Sequence, residues 1–192
     1  MAIVFTDLVG SVELCQQLGD ARMFAFLKRH FSAVTSIVEE CGGRVVKTIG
    51  DSVMAAFDVP EDAARAAIHA VLSIRELRSD DALLADVHIR AGCHIGPCLA
   101  VTNSSGQIDY FGNSVNIAAR AEGIAKGDEV VLSPQVARTT NVTQLMKKIQ
   151  DIPGVLIKRD MVELKGVGEK MECTRIQVDS SFAELSAALS SA

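Results

Sequence analysis

Two β-prone runs, Arg44–Ile49 and Ser52–Phe57, are separated only by Gly50-Asp51, and that spacing constrains the fold more than any other feature of the chain. A glycine beside a short polar residue supports a tight turn, so the runs pair as antiparallel neighbours with Asp51 at the tip. Helical patterns flank this hairpin. Upstream, Met23, Phe24, Leu27, Phe31, Val34, Ile37 and Val38 recur every three or four residues, from an N-cap at Asp20 to a stop at Cys41-Gly42-Gly43. Downstream, Pro60-Glu61-Asp62 opens a helix with proline and acids in the first turn, and Ala67, Val71, Ile74 and Leu77 form its buried stripe. Residues 3–5 form a short strand ending in the polar, glycine-containing segment 6–11. Val87, Ile89, Ala91, Cys93 and Ile95 alternate with His88, Arg90, Gly92 and His94, which predicts a strand with one face in the core. The order strand, helix, strand, strand, helix, strand predicts an α+β fold, a ferredoxin-like βαββαβ core with appended strands and helices.

Beyond the core, residues 107–111 form an extended run after a loop at 102–106, and 112–124 an alanine-rich helix. Glu129–Leu132 is a strand, 141–154 shows no clear pattern, and β-prone runs at 155–165 and 173–178 surround a Lys165-Gly166-Val167-Gly168 turn. No repeat or linker divides the chain. Its 192 residues suffice to bury a core, with a Ser/Ala-rich tail at 179–192 of marginal helical character. Lys and Arg total 19 against 24 Asp and Glu, a net charge of −5 without a basic block, which argues against a nucleic-acid surface. No apolar run approaches the ~20 residues of a membrane span, and no charged-then-apolar leader precedes residue 3. The five cysteines are scattered without a C-x-x-C pair, so disulfides and a zinc ribbon are not expected and the chain is placed in the cytoplasm. The sequons Asn103-Ser104-Ser105 and Asn141-Val142-Thr143 therefore carry no weight.

Asp7 ends the first strand and Asp51 tips the hairpin, so two carboxylates 44 positions apart in sequence can converge. Such a pair suits Mg²⁺, which takes one or two protein carboxylates and completes its oxygen shell with water and phosphate. The same residues also fit a helix cap and a turn decoration. Asn116 and Arg120 lie four residues apart on one helix face, about 40° from each other. A neutral donor beside a fixed positive charge suits a phosphoryl oxygen that gains charge in a transition state, and equally a solvated polar face. Asp109 precedes that helix. Lys47 sits among Val45, Val46 and Ile49, as a ligand contact or an edge-strand lysine. Lys165 reads as a phosphate-binding charge or an ordinary turn residue. His94 has no second histidine at ligand spacing and reads as structural.

Four segments, Phe5-Thr6-Asp7-Leu8-Val9-Gly10-Ser11, Lys47-Thr48-Ile49-Gly50-Asp51-Ser52-Val53-Met54-Ala55-Ala56-Phe57, Asp109-Tyr110-Phe111-Gly112-Asn113-Ser114-Val115-Asn116-Ile117-Ala118-Ala119-Arg120 and Leu164-Lys165-Gly166, together resemble the class III nucleotidyl cyclases. The resemblance makes residues 1–178 a cyclase catalytic domain. It implies metal-binding roles for Asp7 and Asp51, transition-state roles for Asn116 and Arg120, and triphosphate binding by Lys165. It puts the purine-selecting pair on Lys47 and Asp109, the combination of adenylyl rather than guanylyl cyclases. The implied substrate is ATP and the product 3′,5′-cyclic AMP, with two Mg²⁺ (or Mn²⁺) ions per site. Because the family assembles each site from two subunits, the resemblance also implies a homodimer with two composite sites. The start at the first core strand further implies a catalytic domain of a longer protein carrying a regulatory domain. Alternatives are a guanylate cyclase and a catalytically silent nucleotide-binding domain. A diguanylate cyclase is disfavoured, because Gly50-Asp51-Ser52-Val53 is not its Gly-Gly-Asp/Glu-Glu-Phe hairpin. Val12 in place of threonine, and Gly96-Pro97-Cys98-Leu99-Ala100 lacking a second glycine, depart from the family pattern.

Overall fold

The computed structural model describes residues 1–79, 82–102, 104, 106–168, 170–179 and 182–190. Strand β1 (Ala2–Val9) leads through α1 (Ser11–Leu18) and α2 (Asp20–Glu40) to the hairpin β2 (Arg44–Ile49) and β3 (Ser52–Phe57), and helix α3 (Pro60–Ser79) returns the chain to β4 (His88–Ile95). These strands pair antiparallel in the order β2-β3-β1-β4, the expected ferredoxin-like arrangement. Strands β5 (Leu99–Thr102) and β6 (Ile108–Phe111) form a separate ribbon, and α4 (Asn113–Gly123) follows. The main sheet then extends through β7 (Glu129–Leu132), parallel to β4, and through β9 (Lys170–Val178) to the edge strand β8 (Val155–Glu163). Short α5 (Pro134–Ala137), α6 (Thr140–Ile149) and α7 (Phe182–Ser190) complete the described chain. No described helix is long and apolar enough to cross a membrane.

The core has two layers because β1 is covered on both faces. Ala2, Val4 and Leu8 pack with α2 and α3 in the main cluster, while Ile3 and Phe5 pack with Tyr110 and Ala118 on the opposite side. The same cover falls on β4, so the expected single buried face is corrected. Ile89, Ala91 and Cys93 join the main cluster, and His94, on the other face, is 4% exposed and hydrogen-bonded through Nδ1 to Ser133 Oγ at 2.9 Å. His94 is thus a buried histidine with a protein partner, as its isolation in sequence suggested.

Three further local expectations change. Asp20 lies in the first turn of α2 rather than at its cap; Gly19, with φ 70°, occupies the cap and makes the bend from α1. Along α2 the buried residues are Met23, Phe26, His30, Val34 and Val38, and Phe24, about 100° round from Met23, is 72% exposed. The unassigned 141–154 segment contains α6, whose Val142, Leu145, Met146 and Ile149 bury at helical spacing. Its β-branched, polar opening Thr140-Asn141-Val142-Thr143 has weak helix propensity and concealed the period. In the tail, Leu185 and Leu189 are wholly buried in the main cluster; residues 180, 181, 191 and 192 lie outside the described residues, as do Asn103 and Ser105 of the first sequon.

His30 is fully enclosed beside Phe26 and Phe31, and burial pushes its imidazole pKa down to about 4. The unfolded chain protonates this histidine near pH 6.5 while the native state resists, so stability drains away as pH falls from 6.5 to 4. Urea denaturation across that range should show the wild type losing about 2–3 kcal/mol more than His30→Leu, whereas parallel curves would refute the assignment.

Candidate active site

Asp7 leaves β1 on the face covered by α4. Its register partner on β4 is Arg90, and the two side chains meet directly: Nη2 donates to Oδ2 at 2.5 Å and Nε to the same oxygen at 3.1 Å. The other carboxylate oxygen accepts from Ser52 Oγ at 2.6 Å. Ser52 opens β3 next to Asp51, so the hairpin turn brings Asp51 beside the end of β1, as its position in sequence required. Asp51 Oδ2 is buried and has no hydrogen-bond partner among the described residues. A third carboxylate belongs to this neighbourhood. Glu122 of α4 places Oε1 2.6 Å from Arg90 Nε, and burial pushes its pKa up to about 7, against the attraction of Arg90 and with added repulsion from Asp7 and Asp51.

An unpartnered, buried carboxylate oxygen on Asp51, beside two acids that share the Arg90 guanidinium, is the charge deficit that a divalent cation would relieve. The donor set fits a hard cation, because both Asp7 and Asp51 offer carboxylate oxygen. Among the described residues no three Asp, Glu, His or Cys side chains close around one point as a ready-made metal cage. Asp7 and Asp51 therefore stand as a pair, the number that Mg²⁺ usually takes from protein.

Lys47 and Asp109, 62 positions apart, are joined: Nζ lies 2.6 Å from Oδ2. Strand β2 carries the lysine along the sheet edge, and β6 carries the aspartate past it. The Lys47 hydrogen bond, with a second from the Tyr110 amide, holds the Asp109 carboxyl below the usual carboxylate range. Lys47 also lies 5.5 Å from the centre of the Phe111 ring, and Arg44 hydrogen-bonds to the Tyr110 hydroxyl while lying over its ring. The result is an ammonium and a carboxylate side by side at a surface, bordered by an aromatic face.

Asn116 and Arg120 are both exposed and share the outer face of α4, as their spacing required. Ser114, Ile117, Ala118 and Ala121 occupy the inner face against the sheet. Arg120 makes no ion pair among the described residues, whereas Glu122, only two positions further, turns inward to Arg90. Lys165 is exposed in the turn between β8 and β9, closed by a hydrogen bond from the Val167 amide to the Leu164 carbonyl and helped by Gly166 at φ 82°. The chain thus collects Asp7 with Asp51, and Lys47 with Asp109, but leaves Asn116, Arg120 and Lys165 without partners among the site residues. Sequence reading missed Arg90, Ser52 and Glu122. Arg90 stood in the outward set of an alternating strand, and only the placement of α4 over that face turns the set inward.

The approach of α4 depends on Gly92. A Cβ there would lie 2.0 Å from the Glu122 amide nitrogen and 2.7 Å from the Ala118 carbonyl, so the helix backbone rests directly on the glycine.

Residues 1–177 match the adenylate and guanylate cyclase catalytic domain family, and the chain belongs to it. An uncharacterized protein of Mycobacterium tuberculosis is 37% identical over 134 residues, 70% of this chain and 32% of its own length. An adenylate cyclase of Streptomyces coelicolor is 32% identical over 137 residues, 71% of this chain and 33% of its own length. The chain therefore spans about a third of the length of these curated relatives. The solved structure of the guanylyl cyclase Cya2 superposes with a TM-score of 0.76 at 17% identity, covering 94% of this chain and 95% of that one. The architecture is that of the class III cyclase catalytic domain.

Gly92→Ala should force α4 off the sheet and lower the unfolding free energy by about 1–3 kcal/mol. Gly123→Ala, where an added methyl meets nothing within 4 Å, serves as the control and should be neutral in the same chemical denaturation series. Equal stability of the two variants would show that the helix does not need the close approach.

Proposed function

We propose that this chain is an adenylate cyclase domain, converting ATP to 3′,5′-cyclic AMP and pyrophosphate in two composite sites of a head-to-tail homodimer. The observation that carries the choice of ATP is the 2.6 Å contact between Lys47 Nζ and Asp109 Oδ2. Adenine offers an acceptor at N1 and a donor at its amine, which a lysine donor and an aspartate acceptor complement. Guanine reverses both, and each buried mismatch costs ~1–3 kcal/mol.

Mg²⁺ or Mn²⁺, two ions per site and held by Asp7 and Asp51, would supply Lewis-acid activation of the ribose 3′-hydroxyl and charge neutralisation on the triphosphate. The protein groups do the rest. Lys47 and Asp109 hold the purine edge, Asn116 orients the ribose, and Lys165 binds the terminal phosphates. Arg120 stabilises charge building on the α-phosphoryl oxygens as the 3′-oxygen attacks in line and pyrophosphate leaves.

Two features support a shared site. Asn116 and Arg120 are exposed on the α4 face opposite the one that packs toward Asp7, which supports a substrate that meets the two halves from different chains. The β5–β6 ribbon exposes Leu99, Val101, Ile108 and Phe111, an apolar surface suited to a second copy of the chain.

Exchanging Lys47 for glutamate and Asp109 for cysteine should shift the ATP-to-GTP preference toward GTP by several kcal/mol, on the order of two mismatched hydrogen bonds. Separation of the cyclic AMP and cyclic GMP formed from ATP and GTP measures it, and an unmoved ratio would remove these residues from purine recognition. Asp51→Ala and Arg120→Ala should each be inactive as homodimers. Mixed in equal amounts they yield about half heterodimers with one intact site of two, so activity should return to roughly a quarter of wild type and fade on dilution. A mixture as inactive as its parents, with subunit exchange shown independently, would mean that the two residues act within one chain.

A further inference from the structure

Resting on the reading that Asp7 and Asp51 hold the divalent ion, we propose that Arg90 is an internal stand-in for that ion on Asp7, and that Glu122 is the carboxylate that receives Arg90 when the ion enters. Arg90 and Glu122 would then act as a positioning pair that sets metal affinity. Three observations carry the idea. First, Arg90 is the register partner of Asp7 across β1 and β4, so backbone pairing itself delivers the guanidinium to the carboxylate. Both of its hydrogen bonds go to Asp7 Oδ2, and Ser52 takes Oδ1, so a cation approaching Asp7 meets a fixed positive charge already seated there.

Second, Glu122 waits within reach. Its Oε1 lies 2.6 Å from Arg90 Nε, yet the N–H is aimed at Asp7, and Oε1 is buried with no hydrogen bond among the described residues. A modest rotation of the guanidinium exchanges one carboxylate for the other without moving the charge into solvent. Third, the two partners are held differently. Glu122 is fixed by its backbone against Gly92, two residues from Arg90 on the same strand, whereas the Arg90 side chain is 29% exposed and reaches both carboxylates from β4. Asp51, whose Oδ2 has no hydrogen-bond partner among the described residues, completes the pair once Asp7 is released.

Arg90→Gln should tighten Mn²⁺ binding and Glu122→Gln should weaken it, each by about tenfold, because the first removes the competitor and the second removes its alternative seat. Binding is read on the purified full chain without nucleotide, from the free Mn²⁺ resonance signal. The decisive measurement is the double variant. If Glu122 acts through Arg90, Arg90→Gln with Glu122→Gln binds Mn²⁺ within about twofold of Arg90→Gln alone. If Glu122→Gln costs as much in the Arg90→Gln background as in wild type, Glu122 acts on the ion by its own charge and the exchange is refuted. Arg90→Lys, which keeps the charge and the fold but loses the two-pronged contact, covers the case in which Arg90→Gln does not fold. It should reduce the Glu122→Gln effect by at least half, and an undiminished effect would likewise overturn the proposal. Asp51→Asn separates this inference from its premise: loss of Mn²⁺ binding there upholds the metal site, and unchanged binding would sink that reading regardless of how Arg90 and Glu122 behave.

Discussion

Cover on both faces of β1 is the constraint from which the rest of the structure follows. An antiparallel strand with one wet face can carry a charged residue at little cost, but Asp7 lies within a strand, continued to Val9, whose alternate side chains are packed by α3 on one side and α4 on the other. A carboxylate there has to be partnered, and the neighbouring strands supply Arg90 and Ser52 at the register positions that flank it. The acidic residues that follow in space, Asp51 and Glu122, then crowd a site with too little positive charge, and burial, aided by repulsion from Asp7 and Asp51, makes Glu122 hold its proton more tightly.

Helix α4 divides the site's work because its two faces have different tasks. Small and branched residues on the inner face, together with Gly92 beneath them, let it sit close on the sheet and carry Glu122 down to Arg90. The outer face is left with Asn116 and Arg120, four residues apart and exposed, with no ion pair for Arg120 among the described residues. A rigid helix separates side chains on opposite faces by about 10 Å. On the proposed reading, that geometry is why phosphate-directed and metal-directed groups of one chain serve different substrates and why the exposed β5–β6 ribbon matters for completing each site.

Much of the fold was legible because it is local. The Gly50-Asp51 hairpin, the proline-opened α3 and the strand β7 all stand where spacing and turn chemistry put them. Helix α6 was not legible, since its opening residues Thr140-Asn141-Val142-Thr143 have weak helix propensity and conceal the period on which Val142, Leu145, Met146 and Ile149 bury. The stripe of α2 was legible in kind but rotated, because Met23, Phe26 and His30 bury while Phe24 faces out, a choice made by the sheet and not by the helix. His30 is the clearest instance. Its enclosure among aromatic rings, and the resulting shift in its protonation, come from packing that no periodicity discloses.

The order of elements, the hairpin and the joint presence of Asp7, Asp51, Asn116 and Arg120 were determined by the sequence alone, because turns and helix faces depend on residues a few positions apart. Tertiary structure alone decided which charges meet. Lys47 reaches Asp109 across 62 positions and Arg90 reaches Asp7 across 83, and such pairings depend on strand register and on which face a helix covers. Arg90 shows the difference most plainly: in an alternating strand it reads as solvent-facing, and it becomes an internal counter-ion only because Gly92 admits α4 over that face.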